Sequence, residues 1–315
     1  MITENAGNGG QEWESFWAAA PVADASFESP PVRERLSAWW REEFNAIARG
    51  GPLSGADLCC GAGVLSKWAT DFLNERGRSF EKLYCVDASA SAARAAANLS
   101  NGEALIADLA ALPLEDGSID LAFSQFGVEY AGAKGLLEAA RIIAPGGAFV
   151  AVVHKAGGGL ARECRNNLAL FDDLAETGVF ENAAEFFRKS YGAANAADPR
   201  AVKASLAACE KVISRQSETI AMNFARQSLG DLVVMLNRRR AYAEKDVIAW
   251  LGNITGELTR SRRRYEAMLD AAQSEDDIRK TVSAWRDAGI EPREPQTILM
   301  PSGSELAWGL AARRA

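Results

Sequence analysis

The chain has 315 residues, 48% of them hydrophobic, and a formal net charge of −7 at pH 7. That is ample material for a large core, while the acidic balance argues against broad binding of nucleic-acid phosphates. A single histidine, His154, and five cysteines with no Cys-x-x-Cys spacing leave no His-rich metal centre, zinc knuckle or disulfide framework to expect.

Met1 to Gln11 is polar and rich in Gly and Asn, without the basic-then-apolar order of a secretory signal. No run approaches the roughly 18 apolar residues of a membrane helix. A frayed tail, a cytoplasmic location and no membrane partner are the expectations. Glu12–Ala20 and Val32–Arg49 have helical spacing and carry Trp13, Phe16, Trp17, Trp39 and Trp40. Such aromatic stripes are normally core; a substrate wall is the second reading.

From Pro52 to Val153 short apolar strands alternate with helical runs, the signature of a parallel doubly wound sheet. Strands are expected near 54–59, 82–87, 103–107, 119–124 and 147–153, and helices near 64–76, 89–99 and 132–143. The first strand ends in Ala-Asp-Leu-Cys-Cys-Gly-Ala-Gly, residues 56–63. Gly61 and Gly63 there remove side chains that would keep a ligand from the backbone. The second strand ends in acid, Val86-Asp87, where a carboxylate commonly meets a ribose diol. Two nucleoside classes compete for this geometry. A dinucleotide would want a third glycine and a phosphate on the turn, yet Asp57 sits there and would repel it. A nucleoside bearing a sulfonium and an amine, S-adenosylmethionine (SAM), suits the charge better.

The same residues resemble class I SAM-dependent methyltransferases, in order along the chain. Asp57–Gly63 is similar to the family's Asp-x-Gly-x-Gly-x-Gly motif, with Cys59 in place of the first glycine. Val86-Asp87-Ala88-Ser89 is similar to the second motif, and Ile106-Ala107-Asp108-Leu109 to the adenine-side segment. Leu121–Gly127 resembles the fourth strand and the loop facing the methionine moiety. Ile142–Val150, through Pro145-Gly146-Gly147, matches the turn into the fifth strand. The resemblance covers roughly residues 50–155. It implies that Asp57, Cys59, Gly61 and Gly63 meet the methionine end and that Asp87 and Ala88 meet the ribose. It also implies Asp108 and Leu109 at the adenine, and Ser124, Gln125 and Phe126 lining the methyl-donor side. The cofactor would be SAM and the product S-adenosyl-L-homocysteine.

After Gly157-Gly158-Gly159 nearly everything to Ala272 has helical spacing, expected over 160–176, 181–190, 199–213, 216–240 and 242–271. A helix over Asp276–Asp287 and strands at Gln296–Met300 and Leu306–Leu310 follow. The expected fold is therefore a Rossmann-like, seven-stranded α/β methyltransferase sheet with an N-terminal helical cover and a helical insertion between strands five and six. Its parts would be 1–50 as tail and cover, 51–156 with 273–315 as the SAM-binding core, and 157–272 as insertion. Leaving the carboxyl edge of the sheet, the insertion could be a lid over the cleft or a dimerisation element. The basic clusters Arg238–Arg240 and Arg260, Arg262–Arg264 lie on it, with Glu244, Asp246, Glu257 and Glu266 close enough for helical ion pairs.

Methyl transfer is displacement at a sulfonium, which mainly needs alignment and exclusion of water. A base helps when the nucleophile holds a proton. His154 ends the fifth strand on the ligand side and is the candidate base. Glu129, in the loop after strand four, could orient a substrate; a structural His and a solvated acid are the bland alternatives. Lys155 is expected to be exposed. The reading is methyl transfer to a small molecule. A tRNA or protein methyltransferase and a non-catalytic SAM-binding scaffold are the alternatives, a dehydrogenase is the weakest, and a homodimer is compatible with the insertion.

Overall fold

The computed structural model describes residues 13–14, 16–17, 29–47, 53–192, 197–215 and 219–315. The tail over Met1–Gln11 and the ends of the helix expected over Glu12–Ala20 lie outside these residues, as does Arg49. Helix α1 (Pro30–Ala46) leads into β1 (Leu53–Leu58), α2 (Val64–Asn74), β2 (Phe80–Asp87), α3 (Ala90–Ser100), β3 (Glu103–Ile106) and β4 (Ile119–Gln125). A 3-10 turn (Val128–Ala131), α4 (Gly132–Arg141) and β5 (Ile143–His154) follow. Helices α5 (Gly159–Glu176), α6 (Val179–Tyr191), α7 (Arg200–Ile213), α8 (Ile220–Asn237) and α9 (Glu244–Ala271) make up the helical stretch. The chain closes with α10 (Glu275–Asp287), β6 (Ile290–Pro292), β7 (Gln296–Leu299) and β8 (Glu305–Arg314).

Strands pair in the order β3-β2-β1-β4-β5-β8-β6, with β7 also on β8. The first five are parallel, β8 runs antiparallel to β5, and β6 and β7 run antiparallel to β8. Parallel strands covered on both faces need apolar residues on both. Alternation along β4 and β5 supplies them. Ala122, Phe149, Ala151 and Val153 join one core with Trp285 and Ile278 of α10. Leu121, Phe123, Val150 and Val152 join the other with Leu36, Trp39, Trp40 and Phe44 of α1. Trp39 and Trp40 are therefore core residues, 3% and 0% exposed.

At the far edge, the strand expected over Gln296–Met300 is present as Gln296–Leu299, and a short strand that was not expected, Ile290–Pro292, lies along the same partner. Ile290–Pro292 pairs with the end of β8 and Gln296–Leu299 with its start. Pro292 and Pro295 offer no N–H to the ladder, which confines them to such an edge. The count among the described residues is thus eight strands, one more than expected, because Ile290–Pro292 adds one. Helix α10 starts in a reciprocal cap in which Ser274 and Asp277 each satisfy the other's backbone.

The chain divides into two compact units, residues 1–161 with 271–315 and residues 162–270. The second has a core of its own, built from Leu170, Phe187, Met222, Leu232 and Leu251 among others. Arg260 and Arg264 pair there with Glu257, and Arg262 with Glu266 and Asp172. In the first unit both ends of the helical stretch meet at the tip of β5. The Gln273 N–H donates to the His154 carbonyl at 2.7 Å, the Ala156 N–H donates to the Gln273 carbonyl at 2.9 Å, and Lys155 bridges to Gln273 in parallel. Among the described residues no helix is long and apolar enough to cross a membrane.

Candidate functional site

The carboxyl ends of β1, β2, β3, β4 and β5 bring the expected site residues to one edge of the sheet. Around β1 and β2 the polar groups are tied to each other. Asp87 accepts the Gly61 N–H at 3.0 Å on one oxygen and the Ser89 N–H at 2.9 Å on the other. It therefore locks the glycine loop to the start of α3. Burial, with Glu14 nearby as a lesser cause, pushes its carboxyl above the ordinary range. Gly61 has φ +51°, and Gly63 has φ +89° with a would-be Cβ only 2.5 Å from the Ala96 backbone. No L side chain fits the second position, because α2 and α3 touch there. Cys59, standing where the family motif has glycine, is left-handed as well at φ 57°. Gly127 makes room for it: a Cβ on Gly127 would lie 2.3 Å from the Cys59 Cβ.

Asp57 does not face outward. It is 1% exposed and accepts the Ser66 hydroxyl at 2.5 Å. Burial pushes its carboxyl up to about 7, with Asp87 adding to the rise and Ser66 opposing it. The ammonium contact expected of Asp57 has no open face in this arrangement; the carboxylate instead anchors the first turn of α2. Asp108 is exposed and accepts the Ala110 N–H at 2.8 Å, Ala88 is exposed, and Leu109 is buried. Ser124 is spent within the scaffold: its hydroxyl donates to the Leu58 carbonyl at 2.7 Å and accepts the Val128 N–H at 3.1 Å. Gln125 accepts the Trp40 indole N–H at 2.6 Å.

Beyond β4 the picture changes. Glu129 and His154, 25 residues apart, meet in the interior and are each 2% exposed. Glu129 Oε1 lies 2.7 Å from His154 Nδ1 and accepts the His154 backbone N–H at 2.9 Å. Glu129 Oε2 and His154 Nε2 are buried with no hydrogen-bond partner among the described residues. Such orphans are rare in folded proteins and mark a strained or functional place. Phe126, left-handed at φ 54°, lays its ring 4.5 Å from the imidazole, and the Tyr130 ring stands edge-on at 6.0 Å. Lys155 is not exposed, contrary to expectation. It is 6% exposed, with its ammonium 3.4 Å over the Trp308 ring and 3.8 Å from Glu305. A strand end facing an indole can bury a lysine stem and still serve its charge.

Glu14 was not singled out from the sequence, whereas Trp13 and Trp17 were read there as core aromatics with a substrate wall as the second reading. Glu14 accepts the Ser89 hydroxyl at 2.6 Å and the Ser91 hydroxyl at 2.5 Å. Trp17 lies against Gly61, and Trp13 stands 5.8 Å from Tyr130. The aromatic residues in Glu12–Ala20 were visible as a stripe, but nothing local says what they cover.

Residues 56–151 match the model of a family described as methyltransferase domain. No curated protein matches the chain. Among solved structures, a Haloferax volcanii complex of the Trm112 methyltransferase activator and a methyltransferase is 23% identical, over 46% of this chain and 61% of that one, with a TM-score of 0.34. An S-adenosylmethionine-dependent methyltransferase from Mesorhizobium loti is 25% identical over 38% and 55%, with a TM-score of 0.30. The match therefore spans less than two thirds of either protein. Geranyl diphosphate C-methyltransferase from Streptomyces coelicolor A3(2) is 11% identical over 97% and 98%, with a TM-score of 0.48.

Proposed function

We propose that this chain, whose residues 56–151 match a methyltransferase-domain family, uses S-adenosylmethionine to transfer a methyl group to a small molecule through an atom that carries a proton. One observation supports the reading above the others. His154 is held by Glu129 through Nδ1 while Nε2 is buried with no hydrogen-bond partner among the described residues.

The β1–β2 side fits the cofactor. Gly61 offers a loop face without a side chain beside Asp87. Asp87 accepts the Gly61 and Ser89 N–H groups on different oxygens, and a carboxylate has acceptor capacity beyond these for a ribose hydroxyl. Asp108 is exposed two residues beyond β3, which supports its reading as the partner of an exocyclic amine. When bound, SAM supplies a methyl carbon on a sulfonium, an excellent leaving group.

The residues of the chain then manage the acceptor. An ionised Glu129 only accepts, so Nδ1 carries its hydrogen and Nε2 is left as the acceptor. Nε2 takes the proton of a hydroxyl or amine as that atom becomes the nucleophile, and Glu129 stabilises the imidazolium formed. Phe126 and Tyr130 flank the ring and keep water from it. Incubation with methyl-labelled SAM and an extract of the protein's own source tests the acceptor class. Label in the small-molecule fraction is expected; label confined to RNA or protein would overturn the small-molecule reading.

A further inference from the structure

A continuous run of rings joins the two halves of the site. Trp17 lies on Gly61, where a Cβ would come within 2.8 Å of two carbons of its indole. Trp17 stacks with Trp13 at 6.4 Å, Trp13 meets the edge of Tyr130 at 5.8 Å, and Tyr130 meets His154 at 6.0 Å. On the same short stretch of chain, Glu14 is fastened to the first turn of α3. It accepts the hydroxyls of Ser89 and Ser91 and, at 3.3 Å, the Ser91 N–H. Hydroxyls and an amide at a helix start make a good seat for a carboxylate. They hold Glu14 below the ordinary carboxylate range, so the fastening is ionised at neutral pH.

We propose that Trp17 and Glu14 form a gate that competes with SAM for the Gly61 loop and the start of α3. The inference rests on the reading of that loop and Asp87 as the cofactor site. A nucleoside seated on Asp87 needs close approach to the Gly61 backbone, and the Trp17 indole already occupies that face. It would also sit beside a second carboxylate, Glu14, whose charge raises the pKa of Asp87. Cofactor entry therefore requires the indole to leave Gly61 and the carboxylate to leave Ser89 and Ser91. Through Trp13 and Tyr130 the same displacement loosens the packing beside His154, so the cofactor opens the acceptor side as it binds.

A gate closed about nine-tenths of the time lowers apparent affinity about tenfold. In the full-length chain, Trp17→Ala is expected to tighten S-adenosyl-L-homocysteine binding about tenfold by calorimetry, and Glu14→Gln about threefold. In stopped-flow fluorescence the parent's binding rate should level off with rising cofactor as opening becomes limiting, and Trp17→Ala should remove the plateau. Affinity that is weakened, or unchanged within twofold, in both variants would overturn the gate while leaving the cofactor site standing. Absence of binding in parent and variants alike would overturn the site reading and the gate with it. Glu14→Gln keeps the shape of the side chain, so the result does not hang on how Trp17→Ala folds.

Discussion

The β1–β2 end of the sheet and the β4–β5 end both carry buried acid, but in opposite conditions. Asp57 and Asp87 are bound to a hydroxyl and to amides of their own loops, and the geometry there is self-supporting. Glu129 and His154 satisfy each other through one atom apiece and, among the described residues, leave one apiece unserved. The first end is built to hold a shape for a ligand to meet. The second keeps two acceptor atoms that a hydrogen-bond donor could serve, an asymmetry that agrees with the proposed cofactor site beside a reacting site.

The sharpest way to break the comparison is His154→Ala. If Nε2 moves a proton, turnover falls by roughly 10²- to 10⁴-fold while S-adenosyl-L-homocysteine affinity, measured by calorimetry, stays put. Unchanged turnover would make both ends of the sheet equally structural.

Asp57→Asn tests whether the self-supporting end carries a cost of burial. Its folded carboxyl, at about 7 against an ordinary 3.8, makes the native state hold a proton the unfolded chain has lost. Stability from this group is full below pH 3.8 and is lost as pH rises through about 7. The total is on the order of 4 kcal/mol. Urea unfolding at several pH values should show this slope in the parent and its loss in the variant. Identical slopes would mean that Asp57 ionises as freely in the fold as outside it.

Asp87→Ala should weaken cofactor binding tenfold or more, since a charged hydrogen bond is worth about 1.5–3 kcal/mol. Unaltered affinity would remove Asp87 from the cofactor site. The smallest effect is expected from Cys59→Gly, which restores the motif's first glycine at a left-handed position. Relief of strain of about 1 kcal/mol should offset the lost side-chain packing, leaving the denaturation midpoint close to the parent's. A large loss would show that the thiol, not the backbone, shapes the loop.

Elements with a local cause were readable in advance. The strands at 54–59 and 119–124 declared themselves by apolar runs between turn residues, and α2 and α10 by what precedes them. The resemblance placed the acid-tipped strands in order. Pairings across the sheet were not readable. That Glu129 meets His154 depends on β4 lying beside β5 and on the depth of the 3-10 turn, which no spacing in the chain encodes. Lys155 was misjudged because its cover, Trp308, is more than 150 residues away. The strand Ile290–Pro292 was missed because three residues ending on a proline read as the flank of the run that follows.

The neck at Lys155 and Gln273 also bears on the length of chain beyond it. Because Lys155 and Ala156 are joined to Gln273 beside His154, the chain leaving β5 and the chain entering α10 are held together within the first unit. The entropic cost of a longer excursion grows only with the logarithm of its length. A change in the length of chain between Gly157 and Ala272 is therefore expected to cost little in closing that loop, which the denaturation midpoint of a shortened variant would check.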